Sequence, residues 1–444
     1  MLQYYLVTGW IFLFICRSAQ FAGLNCKVLP TFNAAYNHHM KKLLLLCLTL
    51  GYCVFLQAQS SRKLHFKSIL VDTHNDILTT AIDEKVSFDQ HLKGKTHSDL
   101  DRFKEGGVDV EIFSVWSDGS YGPGKGFKHA NRQIDTLYAV IKRNPDKIAL
   151  VTTPAELMKT VKQGKLAAMI GVEGGHMIED RPDYLDSLFK RGTRYMTLTW
   201  NNSTSWATSA MDETPGSRLQ FGADSAAKDI KERKKGLNDL GKQIVRRMNE
   251  LGMMVDLSHV GEQTFWDAIN TTTKPVIVSH SCVYSICPVF RNLKDNQIKA
   301  VAKNGGVIHL NFFSGFVDSA FMTRNQAFAL KHKAERDSIR STVTDPYFAD
   351  NYLFQKYADE VKSLRPPLSL LLDHLDYIVK LVGVDYVGLG SDFDGINSAP
   401  QQLDDVTCFP LITEELVKRG YSKKAIRKIL GENFIRVFKA NTVQ

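Results

Sequence analysis

Residues 68–76 read SILVDTHND, a short apolar run that ends in a histidine, an asparagine and an aspartate. Side chains alternate along an extended chain, so His74 and Asp76 would share one face of such a strand. Taken alone, the stretch fits a polar strand end as well as half of a metal site. Seven runs of the same kind follow: VDVEIFSVW (108–116), LAAMIGVEGG (166–175), YMTLTWNN (195–202), MMVDLSHV (253–260), PVIVSHSC (275–282), GVIHLNFF (306–313) and YVGLGSDFDG (386–395). Short, continuous and β-rich, they have the pattern of strands buried on both faces. Amphipathic helical stretches lie between most of them, such as LNDLGKQIVRRMNELG (237–252) and LKDNQIKAVAKNGG (293–306). Strand and helix in alternation, eight times over, predict an α/β fold of the (β/α)8 TIM-barrel type. A doubly wound open sheet usually carries a Gly-rich phosphate turn after its first strand, and none stands here.

Two segments exceed a minimal barrel and are expected as rim insertions: a polar loop at 202–235 and a charged, helix-prone stretch at 317–365. Residues 59–444 are expected to form one domain containing both, closed by two short helices in YSKKAIRKILGENFIRVF (421–438). The first 58 residues are expected to be a leader. From Met40 the sequence MKKLLLLCLTLGYCVFLQAQS has the two lysines, apolar run and small residue of a secretory signal peptide over 40–58. The stretch upstream of Met40 is expected to be a start-site artefact. An exported chain, periplasmic or held at the outer side of a membrane, follows from this reading.

The 444 residues carry a formal charge of +9; Arg17, Lys27, Lys41 and Lys42 lie in the leader without an acid, which leaves +5 beyond it. This mild, dispersed excess gives no argument for nucleic acid. Of seven cysteines, only Cys282, Cys287 and Cys408 lie beyond the leader, with no CxxC spacing and no implied disulfide framework.

Polar residues gather at the C-terminal ends of the runs. His74 and Asp76 end the first, Glu173 the third, His259 the fifth, His280 the sixth and Asp392 the eighth. A barrel brings those ends to one rim, where active sites lie. Three imidazoles and two carboxylates (His74, Asp76, Glu173, His259, His280) suit zinc or a similar divalent ion. Five ligands exceed one tetrahedral site and suit two metals, with Glu173 as the natural bridge. A metal pair about 3.5–4 Å apart can share a hydroxide and polarise a carbonyl, the chemistry of amide hydrolysis.

These motifs together resemble the membrane (renal) dipeptidases, a branch of the amidohydrolase-like metal barrels. The resemblance runs from about Ser68 to Phe438. It rests on HND at 74–76, GVEGGH at 171–176, DLSHV at 256–260, SHS at 279–281 with RN at 291–292, DFDG at 392–395 and LGENFIRVF at 430–438. It implies two Zn2+ per chain: one held by His74 and Asp76, the other by His259 and His280, with Glu173 bridging. It further implies that Arg291 grips the substrate's terminal carboxylate and that Asp392 moves a proton from water to the leaving amine. The implied substrate is a dipeptide whose second residue can be of D configuration, the alternatives being a related amidohydrolase on N-acyl amino acids or cyclic amides, or a metal-bound barrel with lost turnover. The implied assembly is a homodimer.

One position departs from the better-known mammalian pattern, which has a histidine after the TLT of the fourth run. Trp200 stands there, and an indole offers one N–H donor and no proton relay. Asn201, Asn202 or the indole itself is expected to supply the missing hydrogen bond, or specificity is altered. His309 is read as a packed barrel histidine, His374 as a structural hydrogen-bonding group, and KERKK (231–235) as a solvated loop. His176 could support the metal ligands from behind, and Asp394 could either orient its neighbours or cap the turn at Gly395.

Overall fold

The computed structural model describes residues 59–217, 234–342 and 346–443. The leader at 1–58 and the middle of the 202–235 loop lie outside the described residues.

Nine strands are present among those residues: β1 (Val71–Asn75), β2 (Val110–Trp116), β3 (Ile148–Leu150), β4 (Leu166–Glu173), β5 (Thr193–Thr197), β6 (Met254–Asp256), β7 (Ile277–Val278), β8 (Val307–Leu310) and β9 (Val387–Leu389). All pairings between them are parallel. The order β2-β1-β9-β8-β7-β6-β5-β4 closes on itself because β2 also pairs with β4. This is the eight-stranded TIM barrel predicted from the apolar runs.

The ninth strand is β3, which no run had indicated. Eight-residue β4 divides one edge between two partners: Leu166–Ala168 pair with β3, and Ile170–Glu173 pair with β5. β3 thus fills the sheet below β5, where three residues suffice and no long apolar run is needed.

Alternation along the strands sorts two layers of core. Val71, Val110, Ile112, Ala167, Met169, Tyr195, Met254, Ile277 and Val307 cluster with Phe434 and Phe438 of the last helix, Asn433–Asn441. These strand residues sit at or near strand starts, so the closing helix seals the N-terminal mouth. The other parity, including Phe113, Val115, Ala168, Ile170 and Val172, packs against the surrounding helices. Helix Asp239–Leu251 shows how a connection is terminated. Asn238 caps its start by accepting from the Gly241 N–H, and Gly252 (φ 79°) ends it in the left-handed region, turning the chain into β6.

Between β8 and helix Leu368–Val382 the insertion predicted at 317–365 forms helices Phe321–Lys331, Lys333–Arg340, Pro346–Lys356 and Ala358–Leu364. Phe328, Leu353, Phe354 and Val361 give it a small core of its own. No helix among the described residues is long and apolar enough to cross a membrane.

Candidate metal centre

The functional side chains stand at the C-terminal ends of the strands or just beyond them. Glu173 is the last residue of β4; His280 lies two residues past β7, and His259 and Asp392 three past β6 and β9. Asp76 is not on β1, as simple alternation had suggested, but at the N-cap position of helix Ile77–Asp83. A register irregularity between Asp72 and Asn75 breaks strict alternation in β1. His74 and Asp76 still converge, with Nε2 and Oδ2 3.5 Å apart. His259 (φ 63°) and Asp392 (φ 63°) adopt left-handed backbone conformations, which cost about 1–3 kcal/mol each in non-glycine residues and persist only where neighbours enforce them. The His259 carbonyl accepts from Ala210 N–H at 2.7 Å, and Asp392 N–H donates to the His74 carbonyl at 3.0 Å.

Glu173 stands between two groups of ligands. Its Oε2 is 3.4 Å from His74 Nε2, while its Oε1 is 2.8 Å from His259 Nε2 and 3.4 Å from His280 Nε2. His74, Glu173 and His280 form one cluster spaced for a metal ion; His74, Asp76 and Asp392 form another. All six of these residues, His259 included, are buried or nearly so.

Hydrogen bonds behind the imidazoles decide which nitrogen faces the centre. Tyr195 Oη donates to the Thr73 carbonyl at 3.1 Å and therefore accepts from His74 Nδ1–H at 2.8 Å. Ser279 Oγ donates to Asp256 at 2.6 Å and accepts from His280 Nδ1–H at 2.8 Å. The Asn201 side-chain carbonyl accepts from His259 Nδ1–H at 3.0 Å. Each imidazole thus donates outward from Nδ1 and presents an Nε2 lone pair inward, the arrangement typical of metal-ligating histidines. Two of these lone pairs, on His259 and His280, face each other at 2.9 Å, and buried His74 Nε2 and Asp76 Oδ1 have no hydrogen-bond partner. This donor set, nitrogen lone pairs interleaved with carboxylate oxygens, fits divalent cations.

Electrostatics agree. Burial, reinforced by the positive charge of Arg291, lowers His259 to about 3. Burial also holds His280 well below its usual range, so both stay neutral. Burial opposes charge on His74 as well, but Tyr195, Glu173 and Asp76 outweigh it and raise its pKa. A positive charge is therefore favoured where His74 meets these carboxylates. Burial raises Glu173 too, yet His74, His259 and His280 more than offset it, so its carboxylate is held ionised.

Asp392 carries the opposite bias: burial pushes its carboxyl well up, opposed by His74 and reinforced by Asp76 and Glu173. Asn311 Nδ2 donates to its Oδ2 at 2.7 Å and fixes the plane of the carboxyl group. Gly395 is required beside it, because a Cβ there would overlap the Asp76 and Asp392 carboxylates. Arg291 is buried; its Nη1 donates to Ser281 Oγ at 3.3 Å, its Nη2 to the His280 carbonyl at 3.2 Å, and its Nε is unpartnered. Burial lowers it to about 10, so it remains a cation at neutral pH.

Trp200 packs edge-to-face on Trp116, ring centroids 5.0 Å apart, with the His259 ring at 6.5 Å. Asn201, beside it, uses its side-chain oxygen to accept from His259. His309 Nδ1–H donates to the Val278 carbonyl at 3.0 Å and the ring packs against Phe434, as expected of a barrel histidine. His374 lies between Val283 N–H and the Val317 carbonyl, a structural role. His176 contacts Ser117 rather than any of the ligands. Sequence reading missed Tyr195, Ser279, Asp256 and Asn311. All four are polar residues within or just after barrel strands, a signal visible once the strands themselves are assigned.

A sequence model of the membrane dipeptidases (peptidase family M19) matches residues 58–444. Among solved structures, the chain is similar to the probable dipeptidase PvdM from Pseudomonas aeruginosa (TM-score 0.66, 22% identity, covering 87% of this chain and 98% of that one). It is also similar to a metallopeptidase from Rhodobacter sphaeroides liganded with a phosphinate mimic of the dipeptide L-Ala-D-Ala (TM-score 0.66, 22% identity, 84% and 100%). An amidohydrolase from Pseudomonas aeruginosa is similar as well (TM-score 0.62, 21% identity, 86% and 98%). At these identities the structural likeness speaks to the barrel.

Proposed function

The chain belongs to the membrane dipeptidase family, metallopeptidases that hydrolyse peptide bonds, and from that premise we propose that it is a dinuclear zinc dipeptidase. The observation that carries the metal count is the division of Glu173: Oε2 toward His74, whose Nε2 also meets Asp76, and Oε1 toward His259 and His280. In this reading His74 and Asp76 hold one zinc, His259 and His280 the other, and Glu173 bridges. What such a pair supplies when bound is Lewis-acid polarisation of the amide carbonyl and a water acidified toward neutrality.

The chain's own residues do the rest. Asp392, its proton affinity raised by burial, takes up a proton at its carboxylate and delivers it to the departing amine. Asn311 keeps that carboxyl in one orientation throughout. Arg291 spends two N–H donors on Ser281 and His280 and retains others, a planar fork suited to a terminal carboxylate. Requiring a free carboxylate near the scissile bond limits substrates to very short peptides. Trp200 and Trp116 place indole surface beside His259, which bears on side-chain preference rather than on the ligand set.

The test is a substrate series on zinc-loaded protein: L-Ala-L-Ala, L-Ala-D-Ala, the C-terminal amide of each, and N-acetyl-alanine. The free dipeptides should turn over, with the amides slower by about 10- to 100-fold through loss of a charge-assisted hydrogen bond. Faster cleavage of N-acetyl-alanine than of either dipeptide would overturn the reading in favour of an N-acyl amino acid hydrolase.

A further inference from the structure

Asp392 sits in a turn with two left-handed non-glycine residues, itself and Asp394 (φ 65°). Backbone of this kind needs enforcement from outside the turn. Asp394 receives it from the distant segment 97–98. Its Oδ1 accepts from His97 N–H at 2.7 Å, its Oδ2 accepts from Ser98 Oγ–H, and its own N–H donates to His97 Nδ1 at 3.0 Å. The His97 ring lies over Phe393, centroids 5.2 Å apart. Ser98 continues the chain of contacts to Asn75, whose Nδ2 reaches Ser98 Oγ at 3.2 Å and whose Oδ1 accepts from Ile77 N–H at 3.0 Å. Asn75 lies between His74 and Asp76. Arg102 anchors the same segment from the other side, donating to the carbonyls of Thr96 (3.0 Å) and His97 (3.1 Å) and pairing with Asp99 and Asp405.

We propose that Asp394 is a positioning residue: through His97, Ser98 and Asn75 it locks the turn carrying Asp392 to the strand end carrying His74 and Asp76. It touches none of the reacting atoms in this arrangement. Its task is to keep the proton carrier and one pair of metal ligands in fixed relation, although they come from opposite ends of the sequence.

The proposal rests on the dipeptidase reading for its kinetic readout and on the ligand set alone for its metal readout, so two measurements are needed. In zinc-loaded protein, Asp394→Ala should lower kcat on L-Ala-D-Ala by about 10- to 100-fold, the range for residues that support metal ligands from behind, with KM little changed. Asp394→Asn, which keeps an acceptor for His97 N–H, should recover most of that loss, and Ser98→Ala should fall between. Independently of turnover, Asp394→Ala should weaken zinc affinity by about 10-fold or more in a chelator competition. Should wild type fail to cleave dipeptides while Asp394→Ala still weakens zinc binding, the dipeptidase reading falls and the positioning role stands. The positioning role is overturned if folded Asp394→Ala keeps wild-type kcat and zinc affinity, or if both Asp394 variants lose activity only in proportion to lost folded protein.

Discussion

At the scale of single residues, the centre is defined less by its ligands than by what stands behind them. The three imidazoles become usable donors because Tyr195, Ser279 and Asn201 each accept an Nδ1–H and leave Nε2 bare. Asn201 follows Trp200 directly, so the departure from the mammalian pattern lies beside a residue already occupied with a ligand. Replacing Asn201 with leucine removes the acceptor while keeping comparable bulk. The His259 tautomer is then no longer fixed, and zinc affinity should fall by about 10- to 100-fold, measured by chelator competition, with the melting temperature little changed. The ligands were legible in the sequence because histidine and acid stood at the ends of apolar runs. Tyr195 and Asn311 were not, because an inward-facing tyrosine and a strand-end asparagine look the same whether they serve a ligand or fill a barrel.

At the scale of elements, eight strands announced themselves as continuous apolar runs, while β3 did not. Ile148–Leu150 needs only three residues to complete the sheet below β5, too few to carry a periodic signal. Asp76 illustrates a second limit. Alternation placed it on the strand, whereas an irregular β1 and an early helix start bring it to the site by another route. Two buried histidines on packed elements lead to a stability prediction. Burial pushes His309 on β8 and His374 on helix Leu368–Val382 down to about 4, against about 6.5 in an unfolded chain. Between those values the unfolded state binds more protons, so stability is full above about pH 6.5 and is lost as the pH falls toward 4. Each histidine contributes a slope of about 1.4 kcal/mol per pH unit over that window. Denaturant titrations of metal-free protein at pH 5 and pH 7 should show the loss, and His374→Gln should remove its share of it.

For the whole molecule, a barrel sealed at one mouth by Phe434 and Phe438 leaves the opposite rim for chemistry, and every proposed ligand gathers there. The insertion at 317–365 was legible as a charged, helix-prone stretch between strands, but only the fold shows that its helices share a core of their own. The proposed export and homodimerisation are properties of the intact chain. Exported protein should begin near Gln59 on N-terminal sequencing, and light scattering should give twice the mass of one chain; a full-length monomer would contradict both.

In the proposed enzyme two zinc ions, with Glu173 between them, serve peptide hydrolysis. The most direct measurement is turnover of L-Ala-D-Ala as chelated, metal-free protein is titrated with zinc. The dinuclear account predicts negligible activity without metal and a rise that saturates at two equivalents per chain. Full activity at one equivalent, or undiminished activity in the metal-free protein, would contradict it.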